Sequence, residues 1–159
     1  MPSLQPLVRA VSQFLSIAPV LLVLLAAPAR PPWRSQVPAL ERAEVAVGGV
    51  PLVVEIARSG EAQQRGLGYR DGLALGTGML FTYDEADEHT FWMKGMRFCL
   101  DIVWLSEDRV AGAAENICPA PAGSSDEDIP RARAPGPVRY VLEVPAGWLA
   151  ANGLGAGSP

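Results

Sequence analysis

From residue 44 onward, apolar and polar positions follow the pattern of short strands rather than long helices. Glu44–Val47 and Leu52–Ile56 are β-rich runs joined by Gly48-Gly49, a hairpin signal because glycine supplies the positive φ that a tight turn needs. Ser59 is placed to cap a short helix over Glu61–Arg65, and Gly66 stops it. Met79–Tyr83 and Thr90–Met93 are further apolar runs, while the acidic Asp84–Glu88 between them reads as a solvated loop. Leu100–Leu105 and Val110–Ile117 flank Ser106-Glu107-Asp108-Arg109 and predict a second hairpin. Pro119–Pro137 is rich in Pro, Ala, Gly and Ser and reads as a long exposed loop. Val138–Val144 alternates as a strand with unequal faces, and Ala146–Ala150 has the length of a helical turn. About seven short strands with one or two short helices predict a mainly β (α+β) domain over residues 44–159. A small compact sheet or a partly closed barrel is expected, in preference to a doubly wound fold.

The first 29 residues carry one charge, Arg9, followed by an apolar run over Ile17–Ala27 and the small-x-small site Ala27-Pro28-Ala29. This is the order of a secretory signal peptide, with cleavage expected after Ala29. The rival is an uncleaved membrane anchor, but the strictly apolar stretch is shorter than the roughly 20 residues of a span and Pro19 interrupts it. Residues 30–43 hold three prolines and read as a tether. An exported protein, secreted or membrane-tethered, is the expectation, with membrane contact only through residues 1–29 if they are retained.

Composition narrows the chemistry. The chain has 13 basic and 17 acidic residues, a net charge of −4; loss of Arg9 with the leader leaves 12 against 17, a net charge of −5. No basic run exists to neutralise phosphates, so nucleic acid is not an expected partner. With one His, His89, and two Cys, the chain cannot build a closed four-ligand zinc site or an iron–sulfur cluster without carboxylates. No metal or other cofactor is expected; Asp84–His89 lacks the spacing of a calcium loop, and His89 itself reads as a solvated loop residue. Twelve of the 13 basic residues are Arg, which singles out the one Lys, Lys94.

The cysteines sit at the ends of the second hairpin. If Glu107-Asp108 is its two-residue turn, Cys99 faces Asn116 and Cys118 is its diagonal neighbour, roughly 7–8 Å away at Cα. A Cys99–Cys118 disulfide is expected in an exported chain; two buried, inert thiols are the alternative.

Several blocks carry a family resemblance: Gln64-Arg65-Gly66-Leu67-Gly68-Tyr69-Arg70, Thr77-Gly78-Met79-Leu80-Phe81, Phe91-Trp92-Met93-Lys94-Gly95-Met96, Leu100-Asp101-Ile102-Val103 and Arg139–Gly147. In that order they resemble domain of unknown function 192, an uncharacterised bacterial and archaeal family, over roughly Val45–Gly153. The resemblance implies a compact, mainly β fold that is often exported, and it implies no reaction. Cys99 stands where the family often has Pro, and Gly95 replaces a frequent Asn.

In an extended segment Trp92 and Lys94 share one face, with Phe91 and Met93 on the other. A Trp beside an ammonium offers flat apolar contact and a point charge for carboxylate or phosphate, and Arg65 and Arg70 offer guanidinium forks. Asp101 and Glu143 are acids in apolar strands and are expected to pair with a base, as Lys94–Asp101 and Arg65–Glu143. These six residues are the candidate ligand-binding set. The expected function is a non-catalytic binding module for an anionic or polymeric envelope ligand, the ligand itself being unknown. The alternative is a small hydrolase- or transferase-like enzyme using Asp101 or Glu143 with Lys94.

Overall fold

Gly48 and Gly49, at φ +58° and +75°, turn the chain so that β1 (Arg42–Val47) lies antiparallel to β2 (Val50–Ala57). The computed structural model describes residues 39–159, so the expected leader and residues 30–38 of the expected tether lie outside the described residues. Helix α1 (Gly60–Arg65) starts at Ser59, whose hydroxyl accepts the Ala62 N–H at 3.2 Å, and ends at Gly66. Strand β3 (Thr77–Asp87) runs four residues past Tyr83. The acidic run is therefore exposed strand and not loop over Asp84–Asp87, because pairing with the penultimate element resumes at Asp87 after an irregularity.

The chain continues through β4 (Thr90–Trp92), β5 (Leu100–Leu105), β6 (Val110–Ile117), β7 (Arg131–Arg133), β8 (Val138–Pro145) and α2 (Trp148–Asn152). Strand β7 falls inside the segment expected to be loop; at three residues it is too short to show a period in sequence, and its pairing with β4 defines it. Six strands form one sheet in the order β1-β2-β3-β8-β5-β6, and β4 and β7 form a two-stranded ribbon. Among the described residues only β2 and β3 pair in parallel, with α1 in the connection between them. The mainly β expectation holds with eight strands and two short helices, and the large sheet is open rather than closed into a barrel.

Strands β8 and β5 lie inside the sheet, and their apolar positions bury on both faces. One face carries Ala57, Met79, Phe81, Ile102, Trp104 and Val141; Leu67, Met93, Ala132 and Ala134 from outside the sheet cover it. The other carries Val54, Val103, Leu142 and Val144, and α2 lays Trp148 and Leu149 on it. Among the described residues no helix is long and apolar enough to cross a membrane.

The second hairpin has the turn register expected from sequence, with Leu105 opposite Val110. Two irregularities then each add one residue to β6, so that Trp104 faces Gly112 and Leu100 faces Ile117. The added residues move Cys118 from a diagonal position to one directly opposite Cys99. Their Cα atoms lie 4.1 Å apart, and the two are disulfide-bonded across a sequence separation of 19. In the chain-entropy model such a link stabilises by roughly 3 kcal/mol. Reductant should lower the chemical-denaturation midpoint by a corresponding amount, and an unchanged midpoint in fully reduced protein contradicts a stabilising staple.

Candidate functional site

Strand β4 alternates as its sequence demands: Met93 just beyond it is 3% exposed, while Trp92 is 46% exposed. The Met96 N–H then donates to the Met93 carbonyl and closes a turn with Lys94 and Gly95 at its tip. Gly95 adopts φ +73°, which a turn of this kind reserves for glycine. The turn brings the Lys94 ammonium to 4.9 Å from the centre of the Trp92 ring and into an ion pair with Asp126. From β7, the Arg131 guanidinium lies 5.8 Å from the same ring, and its N–H groups donate to the Asp126 and Ile129 carbonyls. Cation–π contacts at exposed sites contribute about 0.5–1 kcal/mol each, and exposed ion pairs less. The result is a flat apolar surface flanked by two cations, suited to a carboxylate or phosphate on a ring-bearing ligand.

A second group lies on one covered face of the sheet. Glu55, Met79, Glu143 and Ile102 follow one another across β2, β3, β8 and β5. Arg70 donates to Glu55 at 2.6 Å, and Arg42 donates to the same carboxylate at 3.2 Å. The hydrogen bond from Arg70 is the largest cause holding the Glu55 carboxyl below its ordinary range. Glu143 is 6% exposed, its Oε2 has no hydrogen-bond partner, and burial pushes its pKa up to about 8 against the opposing pull of Arg70. It is therefore largely protonated at neutral pH. Burial, assisted by Glu143, also raises Tyr83 to about 12. His89 stacks on Tyr83 with ring centres 3.5 Å apart and a buried, unpartnered Nε2. It is half-buried and not the solvated loop residue its acidic neighbours suggest, because Tyr83 covers it.

Asp101 has a third environment. It is fully buried, and its carboxylate accepts the N–H groups of Asn116 at 2.8 Å, Gly147 at 3.1 Å and Leu149 at 3.0 Å. Helix α2 has no side-chain cap of its own at Gly147, so Asp101 satisfies its first N–H groups from β5.

The structure thus brings Trp92 and Lys94 together. The two ion pairs expected from sequence are not formed: Lys94 pairs with Asp126, Asp101 takes backbone donors, and Glu143 forms no ion pair among the described residues, Arg70 pairing with Glu55. Arg65 lies at the exposed end of α1 and forms no ion pair among the described residues. Sequence reasoning missed Glu55, Asp126 and Arg131. Glu55 carried a signal, as an acid within an apolar strand; the other two sit in the segment read as loop.

Depressions mark the surface formed by the described residues. A crevice of about 340 Å³ is lined by Arg42, Val53, Glu55, Arg70, Leu73 and Thr77. An apolar groove of about 260 Å³ is lined by Val45, Val47, Leu80, Leu105, Tyr140 and Leu142. Trp92 and Lys94 line neither. Among the described residues no three His, Cys, Asp or Glu side chains converge as a metal site.

Comparison with known proteins gives a family and no reaction. The family model DUF192, described as an uncharacterized ACR, matches residues 43–159. A crystal structure from Sinorhizobium meliloti, provisionally described as a transcription regulator, is 30% identical with a TM-score of 0.58, over 67% of this chain and 78% of that one. A protein of unknown function from Novosphingobium aromaticivorans is 33% identical with a TM-score of 0.60, over 81% of this chain and 88% of that one. No curated protein matches the chain.

Two measurements test the placement of the buried acids. Asp101→Ala strands three backbone donors and should cost about 3 kcal/mol or more in denaturant unfolding; a loss under about 0.5 kcal/mol contradicts the capping role. Glu143 should impose a pH dependence. Between its ordinary value of 4.5 and about 8, the folded carboxyl keeps a proton that the unfolded chain has released. Stability should therefore fall as pH rises through that window, by up to about 1.4 kcal/mol per pH unit, and level off above it. Glu143→Gln should remove that fall, which thermal unfolding from pH 5 to 9 would record.

Proposed function

The chain belongs to the DUF192 family, and we propose that it is an exported, non-catalytic binding module that engages an anionic or polymeric envelope ligand through the surface around Trp92 and Lys94. The observation that carries this reading is the half-exposed Trp92 ring with Lys94 and Arg131 beside it at 4.9 and 5.8 Å. Both cations are accessible, and Lys94 is held by an exposed aspartate that a ligand carboxylate or phosphate replaces at little cost. Export is supported by the apolar leader-like run over Ile17–Ala27 and by the Cys99–Cys118 disulfide, which persists in oxidising compartments. The acid balance supports a partner other than nucleic acid, which the description of the Sinorhizobium protein would suggest.

The enzymatic alternative rests on Asp101 or Glu143 acting beside Lys94. Asp101 has its oxygens committed to three backbone N–H groups, and Lys94 is paired with Asp126. Glu143 is buried and protonated at neutral pH, the wrong state for a general base there.

Isothermal titration of the purified protein with polygalacturonate and with inorganic phosphate tests the binding reading. Affinity for at least one probe should weaken with added salt. It should also fall roughly tenfold, about 1.4 kcal/mol, in Trp92→Ala and in Lys94→Ala. Absence of binding to both probes, or binding that neither substitution weakens, contradicts the reading.

A further inference from the structure

We infer that Tyr69 forms a second stacking surface beside Trp92, and that the ligand is an acidic polysaccharide, a chain of sugar rings bearing carboxylates, rather than a small free anion. This rests on the binding role proposed above and names the ligand class for the same surface.

Tyr69 has a backbone conformation that its side chain does not favour. Its φ is +65°, in the left-handed region that glycine, asparagine and aspartate occupy readily and a bulky residue does not. Strain of this kind is ordinarily offset by burial of the side chain, yet the Tyr69 ring is 70% exposed. The surroundings hold it there. The Tyr69 N–H donates to the Gly95 carbonyl at 2.8 Å, fixing the segment after α1 to the Lys94-Gly95 turn. A Cβ on Gly95 would lie 3.0 Å from the Tyr69 Cζ, 3.2 Å from Cε1 and 3.4 Å from Cε2. The phenol ring therefore rests against the turn, and a glycine at position 95 leaves it room, where the family often has Asn. One side of the ring meets the turn and the rest faces water.

Trp92 ends the strand before that turn, three residues before Gly95, a reach of at most about 10 Å even in an extended chain. Two accessible aromatic residues therefore adjoin the turn that carries Lys94. Arg131 stands beside Trp92, and Arg97 follows Gly95 by two residues in an ion pair with Asp71. Two rings and three cations thus lie on or next to this turn in chain or in space. Asp126 and Asp71 are 64% and 90% exposed, so the pairs they make with Lys94 and Arg97 exchange readily for outside carboxylates. A polymer with an apolar ring face and a carboxylate on each unit can use both kinds of group. A lone anion makes no use of a strained, exposed Tyr69.

The test compares polygalacturonate with its monomer, galacturonate, by titration against wild type, Tyr69→Gly, Tyr69→Phe and Trp92→Ala. Tyr69→Gly relieves the left-handed backbone, so its melting temperature should rise, which shows that it folds. Its affinity for the polymer should nevertheless fall roughly tenfold, while its weak affinity for the monomer stays unchanged; Tyr69→Phe should bind the polymer as wild type does. If Tyr69→Gly keeps full polymer affinity while Trp92→Ala loses it, the Tyr69 surface is refuted and the Trp92 binding role stands. The same holds if monomer and polymer bind wild type with equal affinity per site. If phosphate binds through Trp92 but the polymer does not bind, the ligand class is wrong and the binding role stands. If neither probe binds wild type, both fall.

Discussion

The carboxylate of Asp101 lies fully buried within the sheet, where an unpartnered charge would cost several kcal/mol, and three backbone N–H groups converge on it. The three belong to two different structural decisions. Asn116, at φ +53°, sits where β6 gains its second extra residue, and that gain sets Cys118 directly opposite Cys99. Gly147 and Leu149 open α2, which has no cap of its own and which lays Trp148 and Leu149 over one face of the sheet. One acid on an inner strand thereby fixes the bulge, the disulfide register and the helix that covers the core.

The remaining charges divide by burial, and the division organises the chemistry. Glu143 sits where burial favours the neutral acid, with Arg70 drawn toward Glu55 instead. Arg42, Glu55 and Arg70 form a charged margin to a crevice, while the groove by Leu80 and Tyr140 is largely apolar. The proposed binding surface lies elsewhere, around the turn after β4: Trp92 of β4, Lys94 of the turn, Arg131 of β7 and Tyr69 are all accessible. Met93 and Leu67, their neighbours in the chain, are buried in one core cluster.

Local features were legible in the sequence, and long-range ones were not. The Gly48-Gly49 hairpin and the Ser59 cap involve residues a few positions apart, and their signals are carried by the residues that make them. The alternation at Phe91–Lys94 put Trp92 and Lys94 on one face for the same reason, and the structure exposes that face. Asp101 was recognised as an acid needing a partner, but the expected partner was a lysine; backbone N–H groups 15 to 48 residues away leave no mark in composition. Arg131 and Asp126 belong to a segment whose one strand is three residues long, so its pairing with β4 was invisible. The positive φ of Tyr69 has no sequence signature either, since it follows from the contact with Gly95.

The central claim is spatial: partner-binding chemistry lies on the aromatic and cationic surface after β4, and the buried acids serve the fold. Two-dimensional ¹H–¹⁵N NMR of the labelled protein during titration with an oligogalacturonate tests it most directly. The amides of Tyr69, Lys94, Gly95 and Arg131, and the Trp92 indole N–H, should shift together and saturate on one isotherm. Shifts confined to the Arg42–Arg70 crevice or the Leu80–Tyr140 groove, with the Trp92 indole unmoved, would contradict it.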